Sequence, residues 1–89
     1  MNKDRRKHLE ALSGRLEDVR TELQDIIDEI DEIKEEEQEA YDNLPESLQE
    51  SERGCNMQEN IDDLDSASDI DFDTVIDDIS DYIQNCIDR

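Results

Sequence analysis

LEALSGRLEDVRTELQDIIDEIDEI, residues 9–33, sets apolar side chains at alternating spacings of three and four. Leu9, Leu16, Leu23 and Ile30 take the a positions of a heptad, and Leu12, Val19, Ile26 and Ile33 take the d positions. Such a period belongs to a helix that packs lengthwise against another helix. Ile27 and Tyr41 add apolar surface at e positions, so the stripe is wider than a bare two-stranded seam and suits a bundle. Gly14 weakens the helix by about 1 kcal/mol relative to alanine, which a pattern this long absorbs. The register continues through Glu37, Ala40 and Leu44, and a glutamate at a core position loosens the packing there. Pro45 then stops the helix, because the residue before a proline is driven out of helical geometry. A first helix over about 3–42 follows.

Beyond it lies YDNLPESLQESERG, residues 41–54. Residues 43–51 read as a turn, with a short helical piece at Pro45–Leu48 and Ser51 before Glu52 as the N-cap of a second helix. That helix, about 52–88, carries the stripe Met57, Ile61, Leu64, Ser68, Phe72, Val75, Ile79, Tyr82 and Cys86, widened by Ile76, Ile83 and Ile87. One extra four-residue step near Ser68 shifts the phase, and such an insertion locally unwinds a supercoil. Ser66 and Ser68 before Asp69 and Asp71 could cap a fresh start, so a kink is expected at 66–69. The expected fold is all-α: one domain over 1–89, an antiparallel hairpin of two long heptad-patterned helices. Folding the chain about residue 48 places Arg20 near Asp77. Leu9, Leu12, Leu16, Val19, Leu23, Ile26, Ile30, Ile33, Ile61, Leu64, Phe72, Val75, Ile79, Tyr82 and Ile83 form its core and oligomer seam.

A hairpin of 89 residues with 33% apolar and 43% charged side chains has little core of its own. Small chains bury about 60% of their unfolded surface, so self-association as a homodimer, a four-helix bundle, is the expected remedy. No apolar run is long enough to span a membrane. The opening MNKDRRKHLEAL is basic but lacks the apolar core of a secretion signal. Cys55 and Cys86 would stand roughly 46 Å apart on one continuous helix, so they read as reduced thiols in a cytoplasmic protein.

The net charge of −20 is distributed unevenly. Residues 1–20 hold six basic and four acidic side chains, and residues 75–89 one basic and four acidic. That end of the hairpin is nearly neutral, while residues 21–74 carry −19. From Cys55 to Asp88 there are ten aspartates, one glutamate and no basic residue. Aspartate is a poorer helix former than glutamate, so its use holds carboxylates on short, stiff stems at a cost in propensity.

Catalysis has no candidate residues. His8 is the only histidine, and two helices offer no cleft that would split the pKa values of paired carboxylates. A metal site is not expected either. Asp69, Asp71, Asp73 and Asp77 match the early positions of a calcium loop, but Thr74 stands where glycine is needed and Ser80 where a bidentate glutamate is needed. No cofactor motif is present. The basic run Lys3–Lys7 belongs to a molecule whose field repels phosphates, so direct nucleic-acid binding is not expected.

What the acidic surface can do is imitate a polyanion. Duplex DNA carries one charge per about 1.7 Å of axis, and −20 along a hairpin of roughly 55 Å is one per roughly 2.8 Å. Glu35, Glu36, Glu37, Glu39, Asp62, Asp63, Asp65, Asp69, Asp71 and Asp73 are the candidate partner-binding residues. Their partner would be a protein with a basic, nucleic-acid-handling surface. The other reading is a structural or adaptor coiled coil that binds a partner helix through its apolar stripe.

The connection adds a resemblance. Tyr41, Asp42, Asn43, Pro45, Glu46, Leu48, Gln49, Ser51, Glu52, Arg53 and Gly54 are similar to the turn of a group of small acidic helical proteins encoded by bacteriophages and prophages, over roughly residues 9–65. The resemblance implies a phage-borne helical protein in the cytoplasm of a bacterial host and, by analogy alone, an inhibitor or DNA mimic with an anti-defence role. The chain departs from that group in its Asp-dense second helix.

Overall fold

A computed structural model describes residues 1–89. The chain is all-α with no strand: α1 (Lys3–Asp42), α2 (Glu46–Gln49), α3 (Glu52–Ser68) and α4 (Phe72–Asp88). It is a helical hairpin in which α1 is one arm and α3 with α4 the other. The pairing is antiparallel: Lys34 bonds Asp65 and Glu37 bonds Asn60, so the partner number falls as the α1 number rises.

The reversal is built from local bonds. Pro45 O accepts from the amides of Leu48 and Gln49 at 2.8 and 3.1 Å, closing α2. The Gln49 amide side chain donates back to the carbonyls of Tyr41 and Leu44, tying the turn to the end of α1. Ser51 caps α3: its hydroxyl accepts from the Gly54 amide at 3.4 Å and donates to the Leu48 carbonyl. Gly54 is buried against α2. A Cβ there would overlap the Gln49 carbonyl oxygen and lie within 2.6 Å of the Leu48 carbonyl oxygen.

The second arm breaks between Ser68 and Phe72. The cap of the new helix is Asp71, whose carboxylate accepts from the Thr74 amide at 3.0 Å and from its hydroxyl at 2.5 Å. Ser66 and Ser68, the expected caps, do not serve. The Ser68 hydroxyl instead donates to the Leu64 and Asp65 carbonyls of its own helix, a back-bond that lets a serine end a helix rather than start one.

The contacts divide the chain into a terminal unit, Met1–Gln24 with Asp71–Arg89, and an internal unit, Asp25–Ile70. Each has one buried apolar side chain, Ile76 and Met57 respectively. On α1 the a residues Leu9, Leu16, Leu23 and Ile30 are half-buried, and so are the e residues Arg20, Ile27, Lys34 and Tyr41. The d residues Val19, Ile26 and Ile33 are 48%, 41% and 52% exposed. They are not core within one chain. One partner helix covers only one flank of a three-position stripe, and here it covers a and e. On α4 the same correction applies. Phe72, Ile76, Ile83 and Ile87 face inward, while Val75, Ile79 and Tyr82 face outward at 58%, 43% and 74% exposure. The break at 69–71 resets the phase, and the inward stripe turns toward Ile76. Leu12, Ile61 and Leu64 are half-buried as expected of seam residues.

The two glycines should respond with opposite signs. Gly14 has open space around it, so Gly14→Ala should stabilise the fold by about 1 kcal/mol through helix propensity. Gly54→Ala has to displace backbone and should destabilise it by about 1–3 kcal/mol. Thermal unfolding followed by circular dichroism reads both.

Candidate acidic binding surface

The internal unit contains two basic and eighteen acidic residues, a net charge of −16, whereas the terminal unit has seven basic and eleven acidic residues, a net charge of −4. Lys34, one of the two internal cations, is already engaged: its ammonium lies 3.1 Å from Asp65 and 3.7 Å from Asp31. The hydrogen bond to Asp65 raises its pKa above the ordinary lysine value. Arg53 alone remains to offset the other carboxylates of this unit.

Those carboxylates surround the internal unit rather than forming one stripe. Glu35, Glu39 and Asp42 on α1 meet Asp65 on α3 along a groove of about 430 Å³ that also holds Lys34 and Ile61. Asp62 lines a different groove, with Tyr41, Glu50 and Glu59. Glu36 and Glu37 stand beside Ile33 on a third side, and Glu37 accepts from the Asn60 amide at 3.2 Å. Asp63 and Asp69 are exposed. The arrangement presents negative charge around a helix pair, as a cylinder does.

Two candidate residues lie in the terminal unit and have local work. Asp71 caps α4, and its bonds to the Thr74 hydroxyl and amide hold its carboxyl below the usual aspartate range. Asp73 belongs to a fork centred on Arg20. The guanidinium donates to Asp73 at 2.6 Å, to Asp77 at 2.5 Å and to Glu17 at 3.2 Å. The contact with Asp77 is the one that folding about residue 48 requires. These bonds, Asp77 first, raise the Arg20 pKa further above its already high value. A planar guanidinium can satisfy several carboxylates at once, which an ammonium cannot do with the same geometry. With its side chain 25% exposed, Arg20 straps α1 to α4 and takes Asp73 and Asp77 out of the free anionic surface.

No three acidic, cysteine or histidine side chains converge in a metal-holding group. The segment 72–88, which includes Asp73 and Asp77, is a helix, and both cysteines are free thiols, Cys55 exposed and Cys86 half-buried. No helix is long and apolar enough to cross a membrane. Compared with protein-family models, curated proteins and solved structures, the chain matches none.

Sequence reasoning placed Arg20 near Asp77 but missed the second arm of the strap, Asp73, and the Asp71 cap. The signal for the cap was present in the spacing of Asp71 and Thr74 ahead of an apolar run. Because the folded carboxyl of Asp71 titrates below its ordinary value of 3.8, its stabilising contribution is present above that value. It is lost as pH falls through the lower folded value. The helicity deficit of Asp71→Ala relative to the parent should therefore be full at neutral pH and shrink as the pH is taken below 3.8. The comparison is made against the parent at each pH, which cancels the general relief of repulsion in acid.

Proposed function

We propose that the chain is a stoichiometric, non-catalytic inhibitor of the phage type, which occupies a basic nucleic-acid-binding surface on a host protein in the bacterial cytoplasm. The observation that carries this reading is the charge of the internal unit. Its paired helical segments, residues 25–42 and 52–68, hold fifteen carboxylates against two basic side chains, Lys34 and Arg53: the net is −13. Over about 27 Å of helix, from eighteen residues at 1.5 Å rise, that is one charge per about 2 Å. Duplex DNA has one per about 1.7 Å. A cleft evolved to enclose a duplex meets comparable charge on more than one side of this helix pair. The seven aspartates among those fifteen carboxylates, on short stems, also lose less freedom on docking than long flexible anions would. Attraction of this kind acts at a distance, so encounter is fast and falls with ionic strength.

Glu35, Glu36, Glu39, Asp62 and Asp63 are the residues best suited to the contact, since they are exposed and make no bond within the chain. Asp65 and Glu37 are partly committed to Lys34 and Asn60. The second reading, an adaptor that pairs with a foreign helix, has the open d flank Val19, Ile26 and Ile33 in its favour.

Capture from a bacterial host lysate by the tagged protein separates the two. The decoy reading expects partners that handle nucleic acid, that are released by added duplex DNA, and whose capture falls at least about tenfold between about 50 and 200 mM salt. A combined Glu35→Gln, Glu39→Gln, Asp62→Asn, Asp63→Asn variant should lose them. Capture that is indifferent to salt and DNA but abolished by Ile33→Asp would overturn the decoy in favour of the adaptor.

A further inference from the structure

We propose that two copies of this chain associate through the open apolar flank of the terminal unit, centred on Val19, Val75, Ile79 and Tyr82, leaving the acidic internal unit of each copy free. This inference does not depend on the decoy reading.

The exposed area calls for a partner. The chain leaves 6778 Å² accessible, where a compact monomer of 10.4 kDa exposes about 5,400 Å². The excess includes a continuous apolar face. Val75, Ile79 and Tyr82 follow one another on α4 at four- and three-residue steps, so they share one side of the helix. Ile79 and Val19 line one groove of about 330 Å³ together with Leu12, Leu16, Ile83 and Arg15. Apolar side chains of a second copy fit such a groove.

Charge decides where the copies meet. Joining two internal units would set −16 against −16, while the terminal units carry −4 each. Exposed apolar residues of the internal unit, such as Ile33, stand among carboxylates whose desolvation opposes burial. The terminal face is also self-complementary. Arg15 on the rim of the groove and the exposed Asp78 and Asp81 of α4 make no ion pair within the chain. A two-fold arrangement brings the basic rim of each copy toward the acidic side of the other.

Sedimentation equilibrium of the full chain tests this. The parent should run at twice 10.4 kDa at micromolar concentration, and Ile79→Asp or Tyr82→Lys should raise the dimer dissociation constant by at least about tenfold. Ile33→Asp and Ile70→Asp, at comparably exposed positions of the internal unit, should leave it unchanged. Because a polar change on α4 could also loosen the helix, a charge swap provides the second arm. Arg15→Glu should weaken the dimer, and Arg15→Glu with Asp78→Arg and Asp81→Arg should restore it. A parent chain that is helical yet monomeric at 100 μM overturns the proposal, including the case in which a foreign helix binds this face. So does a dimer disrupted by Ile33→Asp but not by Ile79→Asp.

Discussion

The Gly54 backbone lies against the carbonyls of Leu48 and Gln49, a closeness that no side chain could share. Everything else in the hairpin depends on that approach. It lets α3 start only two residues after the end of α2, with Ser51 capping and Gln49 holding the end of α1. A wider turn would enter α3 at another angle, and the pairings of Lys34 with Asp65 and of Glu37 with Asn60 would fail in register. Met57, the buried residue of the internal unit, sits less than one helical turn beyond the glycine.

Charge is the second constraint, and the chain meets it by segregation. A thin apolar seam cannot hold two helices together against uniform repulsion. Cations are therefore placed at e positions of α1, where they reach across the seam: Arg20 to Asp73 and Asp77, Lys34 to Asp65. Both side chains are also half-buried, so their methylene stems cover the seam while their heads bond beyond it. The carboxylates left over are concentrated in the internal unit, and the terminal unit keeps most of the basic residues.

The helical period, the stop before Pro45 and the cap at Ser51 were legible because each rests on nearest-neighbour chemistry. α1 ends at Asp42 and α3 begins at Glu52, where proline and serine place them. The uneven charge was equally plain from counting. What the residues alone did not reveal was which flank of a broad stripe a single partner would cover. Val19 and Ile27 are both good seam residues by period; only the crossing of a second helix selects between them. The Phe72–Asp88 segment holds the same ambiguity, since a break of three residues rotates every following side chain, and Tyr82, expected in the core and oligomer seam, stands 74% exposed within one chain. The acidic candidates were chosen by composition, and geometry then divided them into free anions, a cap and a strap.

The ladder of cross-arm bonds also implies an order of assembly. Glu37 and Asn60 are 23 residues apart in the chain, Lys34 and Asp65 are 31, and Arg20 is 53 from Asp73 and 57 from Asp77. Loops close at a cost that grows with length, and each inner rung shortens the loop left for the next. The hairpin therefore zips outward from its bend, and the outermost rungs are the last to form and the first to fray. The apolar flank proposed to face a second copy lies on those late rungs, so meeting such a copy would clasp the zipper shut.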